Sequence, residues 1–376
     1  MRILYLINSV EGGGAALPVP GIAGALARHG SEVRVFALTR RDGRALAAFE
    51  RAGVRVTVRD GGERDHATAY RWIKKMLRRE KPDALWTSLT RATLLGQRAA
   101  RPYRTPVVSW QHAAFLKPAN AFLLRRQQHL SALWIGDSAH VTELTASRLG
   151  VGHDRLLTWP IFAADPLAPS AVPWKSGDRL RLGSLGRLHP VKGYDLLVEA
   201  VGLLHRQGFR APVNWEVTIA GDGAEGERLS RLIGNLPADN LQLLDYTADP
   251  RSFLAGLHAY VQPSRSEGFC VAAHEAMQAG LPVLASAVGE LSNSIEHGRC
   301  GWLVPPRNAD DLAVGLAGLL SEPDRLAVMG QAARSRVFER FGEERFITTA
   351  GTILERLAGI VQARRSASGP GNAPVA

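Results

Sequence analysis

Short, wholly apolar runs alternate along this chain with stretches whose apolar side chains recur at helical spacing, separated by glycine, proline and small polar residues. In the first half, residues 2–8, 33–38, 54–58, 84–87, 107–110 and 133–136 read as buried strands. In the second half, residues 180–185, 217–220, 241–244, 260–262 and 283–286 read the same way. A helical stretch ending at His29, an amphipathic helix over 71–79 and a helical segment within 115–130 fall among the first set. A short helix over 271–279, closed by Gly280 and Pro282, falls within the second. Helices over 310–320, 323–341 and 343–363 complete the pattern. It predicts an α/β protein made of two Rossmann-like β/α/β domains.

Length agrees, because 376 residues exceed what one core of ordinary size holds. The stretch FAADPLAPSAVPWKSGD at 162–178 is rich in Pro, Ala and Ser and marks the boundary. The division expected is a first domain over 1–165, a linker over 166–178 and a second domain over 179–345. A terminal helix over 346–365 and a disordered tail over 366–376 follow. No run approaches the roughly 18 apolar residues that span a bilayer, and Met1 leads straight into a strand with no leader pattern. Cys270 and Cys300 are the only cysteines, too few for a disulfide or metal framework. A cytoplasmic protein is expected.

Charge changes the picture of the first half. Residues 1–165 carry 25 Lys and Arg against 13 Asp and Glu, whereas the remainder carries 21 against 22. A basic half beside a neutral half points to an anionic partner, either nucleic acid or a membrane surface. Over 71–79, Trp72, Ile73, Met76 and Leu77 gather on one side and Arg71, Lys74, Lys75, Arg78 and Arg79 on the other. Phe122, Leu123 and Leu124 beside Arg125 and Arg126 make a second segment of that kind. Each fits either a helix packed on its sheet or an interfacial helix on anionic lipid.

Candidate chemistry concentrates at 260–306, where Glu267 and Glu275 stand with seven residues between them. Glu267 falls in a polar loop after a strand and Glu275 just inside the following helix, so both can face one cleft. A strand, a polar loop and a helix N-terminus in succession make a place where backbone N–H groups meet an anion. Arg187 and Lys192 lie on another loop after a strand, where open α/β sheets bind ligands. Glu11-Gly12-Gly13-Gly14 follows the first strand; Gly13 and Gly14 either make a tight turn or let a ligand approach the backbone. The dinucleotide spacing GxGxxG is absent there. His112 stands just past a strand in SWQHAAF, and Ser138 reads as a helix cap.

The sequence PSRSEGF followed by EAMQAGLPVLAS, over Pro263–Phe269 and Glu275–Ser286, resembles the donor-binding signature of retaining glycosyltransferases of family four (glycosyl transferases group 1). GRLHPVKG over 186–193 and Gly221-Asp222-Gly223 resemble further parts of it. The resemblance implies the GT-B fold, with two domains facing a cleft and a C-terminal helix crossing back to the first. It implies transfer of a sugar from a nucleoside-diphosphate donor to a hydroxyl acceptor, with no cofactor and no metal. UDP is favoured over GDP. His112 and Glu267 would position the sugar as the catalytic pair. Gly268, Phe269 and Cys270 would hold its hydroxyls through their backbone, and Glu275 the ribose. Arg187, Lys192 and the helix N-terminus at Val271 would take the departing diphosphate, which Gly13 and Gly14 also face. Pro18 and Pro20 delay or bend the first helix, Thr87 and Ser88 stand where relatives carry a His, and only Gly289-Glu290 remains of a usual longer motif.

The acceptor implied is a hydroxyl compound of envelope polysaccharide, lipopolysaccharide or glycolipid synthesis, either lipid-linked or soluble. A basic first domain at an anionic membrane surface would place the enzyme at the inner face of the membrane. Two rivals remain: a nucleotide-sugar epimerase of the same fold, and a basic nucleic-acid-binding protein. The second finds no helix-turn-helix or aromatic-interleaved basic motif here, so no nucleic-acid partner is expected.

Overall fold

The structure is a computed structural model that describes residues 1–366 except Ala113 and Ala238. It forms two compact units, the first made of residues 1–163 with the segment from Glu344 onward, the second of residues 164–343.

In the first unit the order is β1 (Arg2–Ser9), α1 (Val19–Arg28), β2 (Glu32–Thr39), α2 (Leu46–Arg51), β3 (Val56–Val58), α3 (His66–Glu80) and β4 (Ala84–Ser88). There follow α4 (Thr90–Ala100), β5 (Val107–Gln111), α5 (Pro118–Gln127), β6 (Leu133–Gly136), α6 (Ala139–Leu149) and β7 (Leu156–Thr158). Among the described residues these strands make one parallel sheet in the order β3-β2-β1-β4-β5-β6-β7. Every residue of β4, β5 and β6 is buried, as parallel strands covered on both faces must be. The run expected over 54–58 is a strand only at Val56–Val58, a short and half-buried edge. Leu156–Thr158, also short, is a strand that the hydrophobic pattern did not disclose.

The helices keep their predicted faces. α3 buries Ala69, Ile73, Met76 and Leu77 and turns Arg71, Lys75, Arg78 and Arg79 to solvent. α1 starts only at Val19, with Pro18 at its cap and Pro20 in its first turn, so the prolines delay the helix. Ser138 caps α6, accepting from the Val141 N–H at 3.1 Å. The C-terminal helix of the chain, Glu343–Ser366, buries Phe346, Ala350, Ile353, Leu354 and Leu357 within this unit. His29 Nε2 meets the Ile347 carbonyl at 2.8 Å, and Phe346 packs on Trp159, itself stacked at 4.9 Å on Trp110. Ser366 closes that helix instead of opening a tail, and the rest of the predicted tail, 367–376, lies outside the described residues.

The second unit runs β8 (Leu180–Leu185), α7 (Tyr194–Arg206), β9 (Trp215–Ala220), α8 (Gly226–Gly234), β10 (Leu241–Leu244), α9 (Pro250–Ala255) and β11 (Ala259–Gln262). It continues with α10 (Val271–Gln278), β12 (Val283–Ser286), α11 (Leu291–Ser294), β13 (Gly301–Val304), α12 (Ala309–Ser321) and α13 (Leu326–Phe341), before the C-terminal helix, α14. Its described strands form a parallel sheet in the order β10-β9-β8-β11-β12-β13. The helix expected over 323–341 divides into a 3-10 turn at Pro323–Arg325 and α13. Residues 164–179 contain no helix or strand and lie along this unit, where Ala171 N–H donates to Ala279 O at 2.7 Å. Among the described residues no helix is long and apolar enough to cross a membrane.

Strand order reverses once in each sheet, between β1 and β4 and between β8 and β11. Connections on the two sides of such a reversal leave toward opposite faces and open a crevice at the carboxyl edge. The core under the second crevice is aliphatic, with α7 and α12 packed together over Leu182, Val217, Ile219 and Leu284. Leu316 of α12 is fully buried there, so Leu316→Ala should lower unfolding free energy by about 3 kcal/mol in a urea titration.

Candidate active site

In the second unit the loop after β8 holds Arg187, and then a 3-10 turn Pro190–Lys192 in which Val191 N–H donates to His189 Nδ1 at 3.2 Å. Arg187 is exposed, whereas Lys192 points inward. Gly193 closes the turn at φ 69°, and a Cβ there would lie 2.1 Å from the Pro263 carbonyl oxygen. Only glycine lets the loop after β8 press on the loop after β11 at this point.

That contact brings together residues far apart in sequence. Lys192 Nζ donates to Glu267 Oε1 at 2.7 Å, Ser264 Oγ to the same oxygen at 2.6 Å, and Gln262 Nε2 lies 3.4 Å from it. Gln262 is fixed in turn by the Tyr260 hydroxyl at 3.0 Å, which also bonds the Leu185 carbonyl. Burial works against the Lys192 ammonium, but the adjacent Glu267 carboxylate outweighs it and holds its pKa above the ordinary lysine range. The loop is braced from below: a Cβ on Gly289 would sit 2.4 Å from the Glu267 carbonyl oxygen, and Glu290 N–H donates to Gly268 O at 2.9 Å. The Glu290 side chain is buried against Arg340 at 2.6 Å. The shortened Gly289-Glu290 motif thus sits directly beneath Glu267.

α10 begins after Cys270, whose backbone is left-handed at φ 68°, a conformation costing a non-glycine residue about 1 kcal/mol or more. Phe269 is buried and stacked on His274 at 4.1 Å. Burial, reinforced by the neighbouring Glu267, pushes the Cys270 thiol far above its usual range, so it stays protonated. His274 was not singled out in the sequence. It is fully buried, bridges Cys270 O at 2.9 Å and Ser294 Oγ at 2.8 Å, and burial lowers its pKa to about 4. A neutral histidine therefore locks the helix start in place.

Glu275 lies one turn into α10 and is half-buried, with no hydrogen bond or ion pair among the described residues. Burial pushes its carboxyl up to about 7, opposed weakly by Arg251. Gly221-Asp222-Gly223 follows β9, and a Cβ on Gly221 would meet the Gly186 carbonyl oxygen at 2.0 Å, so this turn shapes the wall behind Arg187. Asp245 is exposed beyond β10, while Asp249 caps α9 through Ser252 at 3.1 Å.

In the first unit, Gly13 and Gly14 lie on the loop after β1, where Gly13 O accepts from the N–H groups of Ala16 and Leu17. Arg41 pairs with Glu11 and Glu63 beside this loop. Across the strand reversal a row of buried polar groups runs from β1 over the ends of β4, β5 and β6. Tyr5 OH and Ser88 Oγ share a hydrogen bond of 3.0 Å, Ser88 Oγ and His112 Nε2 one of 2.5 Å, and His112 Nδ1 lies 3.7 Å from Asp137 Oδ2. Thus Ser88, in the place of a familiar histidine, is the group that orients His112. Tyr5 and Asp137 are functional candidates that the sequence did not disclose. Among the described residues no three His, Cys, Asp or Glu side chains are grouped to hold a metal ion.

Each of the two parallel α/β units thus carries polar loops at its strand reversal, where such sheets bind ligands. The description Glycosyl transferases group 1 matches residues 171–336, and Glycosyltransferase Family 4 matches residues 12–162. The chain belongs to the family-four glycosyltransferases and has their GT-B fold. It is 35% identical over 156 residues to a D-inositol 3-phosphate glycosyltransferase of Pseudarthrobacter chlorophenolicus, a match covering 40% of this chain and 37% of that protein. It is 28% identical over 258 residues to a GDP-mannose-dependent phosphatidylinositol monomannoside mannosyltransferase of Mycolicibacterium smegmatis, covering 65% and 63%. Its fold matches Anabaena HepE in complex with UDP and glucose at TM-score 0.79 and 21% identity, over 96% of this chain and all of that one. Matches to the inositol-phosphate enzymes span less than half of their length.

The Glu275 carboxyl makes stability depend on pH. Between pH 4.5 and about 7 the folded protein keeps a proton there that the unfolded chain has released. Stability is therefore lost as pH rises across that window, by up to about 3 kcal/mol. Urea titrations of Glu275→Gln against the parent should show the variant gaining relative stability above pH 7 and none below 4.5.

Proposed function

We propose that this protein moves a sugar from a nucleoside-diphosphate donor to an acceptor hydroxyl, with retention at the anomeric carbon and without a metal. The observation that carries this reading is the Lys192–Glu267 pair at the second reversal, followed by the start of α10 and by a half-buried Glu275 with no hydrogen bond or ion pair among the described residues. Departure of a nucleoside diphosphate leaves negative charge on its phosphate oxygens. Arg187, Lys192 and the N–H groups at Val271 supply positive charge where it develops. Glu267, fixed by three donors, then holds sugar hydroxyls together with the backbone of Gly268, Phe269 and Cys270. Glu275 accepts from the ribose hydroxyls. His112, oriented through Ser88 and Asp137, positions the sugar from the first unit, and Gly13 and Gly14 approach the diphosphate.

UDP is favoured as the donor nucleotide over GDP; the Anabaena neighbour is in complex with UDP and the mycobacterial relative is named for GDP-mannose, so both bases enter the test. The acceptor proposed is a lipid-linked or envelope-polysaccharide hydroxyl, presented at the inner face of an anionic membrane. The mycobacterial relative's phosphatidylinositol substrate and the basic first half support this. Two buried, unbridged cysteines fit the reducing cytoplasm in which nucleotide sugars are made. A nucleotide-sugar epimerase would require further acid–base carboxylates after the first unit's strands, and no observation favours one over the transferase.

A thermal-shift screen against UDP, GDP, ADP and dTDP with a chelator present tests the donor site. One nucleotide should raise the midpoint clearly, and Glu275→Ala should remove that rise. No shift with any nucleotide sinks the assignment. Once a turnover assay exists, Ser88→Ala and Asp137→Asn should each lower kcat about ten- to hundredfold through misorientation of His112, with nucleotide affinity unchanged. Equal losses in nucleotide affinity would mean that this row of polar groups serves the fold alone.

A further inference from the structure

Between Asp83 and Asp137 the sequence contains no acidic residue and seven basic ones. The fold gathers much of this stretch on one face of the first unit, where α3 packs on α4 and α4 on α5. A groove of about 500 Å³ runs between them, lined by Tyr70, Arg98, Arg101, Leu123, Arg126 and His129. A second of about 310 Å³ adjoins it, shares Arg101 and His129, and adds Arg104 and Arg364. Among the described residues neither has a carboxylate in its lining. Arg101 and Arg126 have no carboxylate partner among the described residues, while Arg98 leans on Gln127 at 3.2 Å and Arg364 on the Arg104 carbonyl at 3.1 Å.

The place of these grooves separates them from the candidate active site. The 3-10 turns Arg101–Tyr103 and Gln128–Leu130 stand just before β5 and β6, at the amino edge of the sheet. His112, Ser88 and the glycine loop stand at its carboxyl edge. A five-residue strand such as β5 puts roughly 15 Å between the two edges. The neighbouring guanidinium groups of Arg98, Arg101 and Arg126 repel one another, and phosphate oxygens relieve that repulsion while matching the planar fork of arginine.

Apolar side chains on the same face decide what carries the phosphate. Phe122 is 60% exposed, and Leu123, on the rim of the larger groove, is 39% exposed. Arg126 lies over the Phe122 ring at 5.8 Å. Exposed leucine and phenylalanine between arginines suit the boundary of headgroup and acyl chain, and add nothing to the binding of a nucleic-acid backbone.

We infer that this face docks the protein on an anionic phospholipid surface, with lipid phosphates among Arg98, Arg101, Arg126 and His129 and with Phe122 and Leu123 entering the interface. This deepens the reading of a membrane-borne acceptor and rests on it, but docking is measured without turnover. Full-length protein should co-sediment with phosphatidylcholine vesicles containing phosphatidylglycerol, weakly at high salt, and not with pure phosphatidylcholine vesicles. Arg101→Glu with Arg126→Glu should reduce vesicle affinity about tenfold or more. Phe122→Ser with Leu123→Ser should weaken it while leaving the salt dependence in place.

Both double variants should keep the nucleotide thermal shift, which shows them folded. Vesicle binding without any nucleotide shift would overturn the transferase reading and leave the docking face standing. Three results overturn the docking face: binding to neutral vesicles alike, anionic-vesicle binding indifferent to the Arg101→Glu/Arg126→Glu change, or no vesicle binding alongside saturable binding of inorganic phosphate or random RNA.

Discussion

In a parallel sheet every strand delivers its chain to the same edge, and only where strand order reverses do neighbouring connections part and leave a crevice. Both units of this protein are built on that one constraint. In the first, the loop after β1 and the ends of β4 and β5 gather Gly13, Gly14, Ser88 and His112. In the second, the loops after β8 and β11 gather Lys192, Glu267 and the start of α10. Gln262, Ser264 and Tyr260 sit on or beside the end of β11, and all of them serve to fix one carboxylate.

Electrostatic balance within the second unit follows from the same crowding. Glu267 and Lys192 neutralise each other at 2.7 Å, and the surrounding donors satisfy the carboxylate, so a buried charge pair is tolerated. Glu275 is treated differently: it has no ion pair or hydrogen bond among the described residues, and burial, opposed only weakly by Arg251, raises its carboxyl to about 7. A group left in that condition near a helix N-terminus has hydrogen-bonding capacity in reserve. In the proposed reaction the ribose would use that reserve, whereas the Lys192 ammonium would be shared between Glu267 and a phosphate.

Much of this could be read from the chain because the relevant signals are local. Glu267, Glu275, Gly280 and Pro282 lie within one short strand–loop–helix unit, and the buried strands announce themselves by unbroken apolar runs such as Val283–Ser286. What escaped depends on register. Tyr5, Ser88, His112 and Asp137 come from four strands, and their meeting follows only from the pairing of β1, β4, β5 and β6. The same holds for Glu290 and Arg340, fifty positions apart. Edge strands such as Leu156–Thr158 and Gly301–Val304 are only partly buried, so their sequences lack the apolar continuity that marks the central ones. His274 looked like an ordinary helical residue because nothing in its neighbours reveals that Ser294 will face it.

The C-terminal helix has a consequence for how the molecule is made. Its apolar side chains Phe346, Ile353 and Leu357 are buried in the first unit, although they leave the ribosome after the whole of the second. Residues 164–343, by contrast, include every strand and all but the last helix of the chain's second half. On a growing chain the unit that begins first is thus finished last. Until α14 emerges, Trp159 and its neighbours lack their cover, and the nascent chain presents an unfinished apolar surface to chaperones while its second unit is already complete.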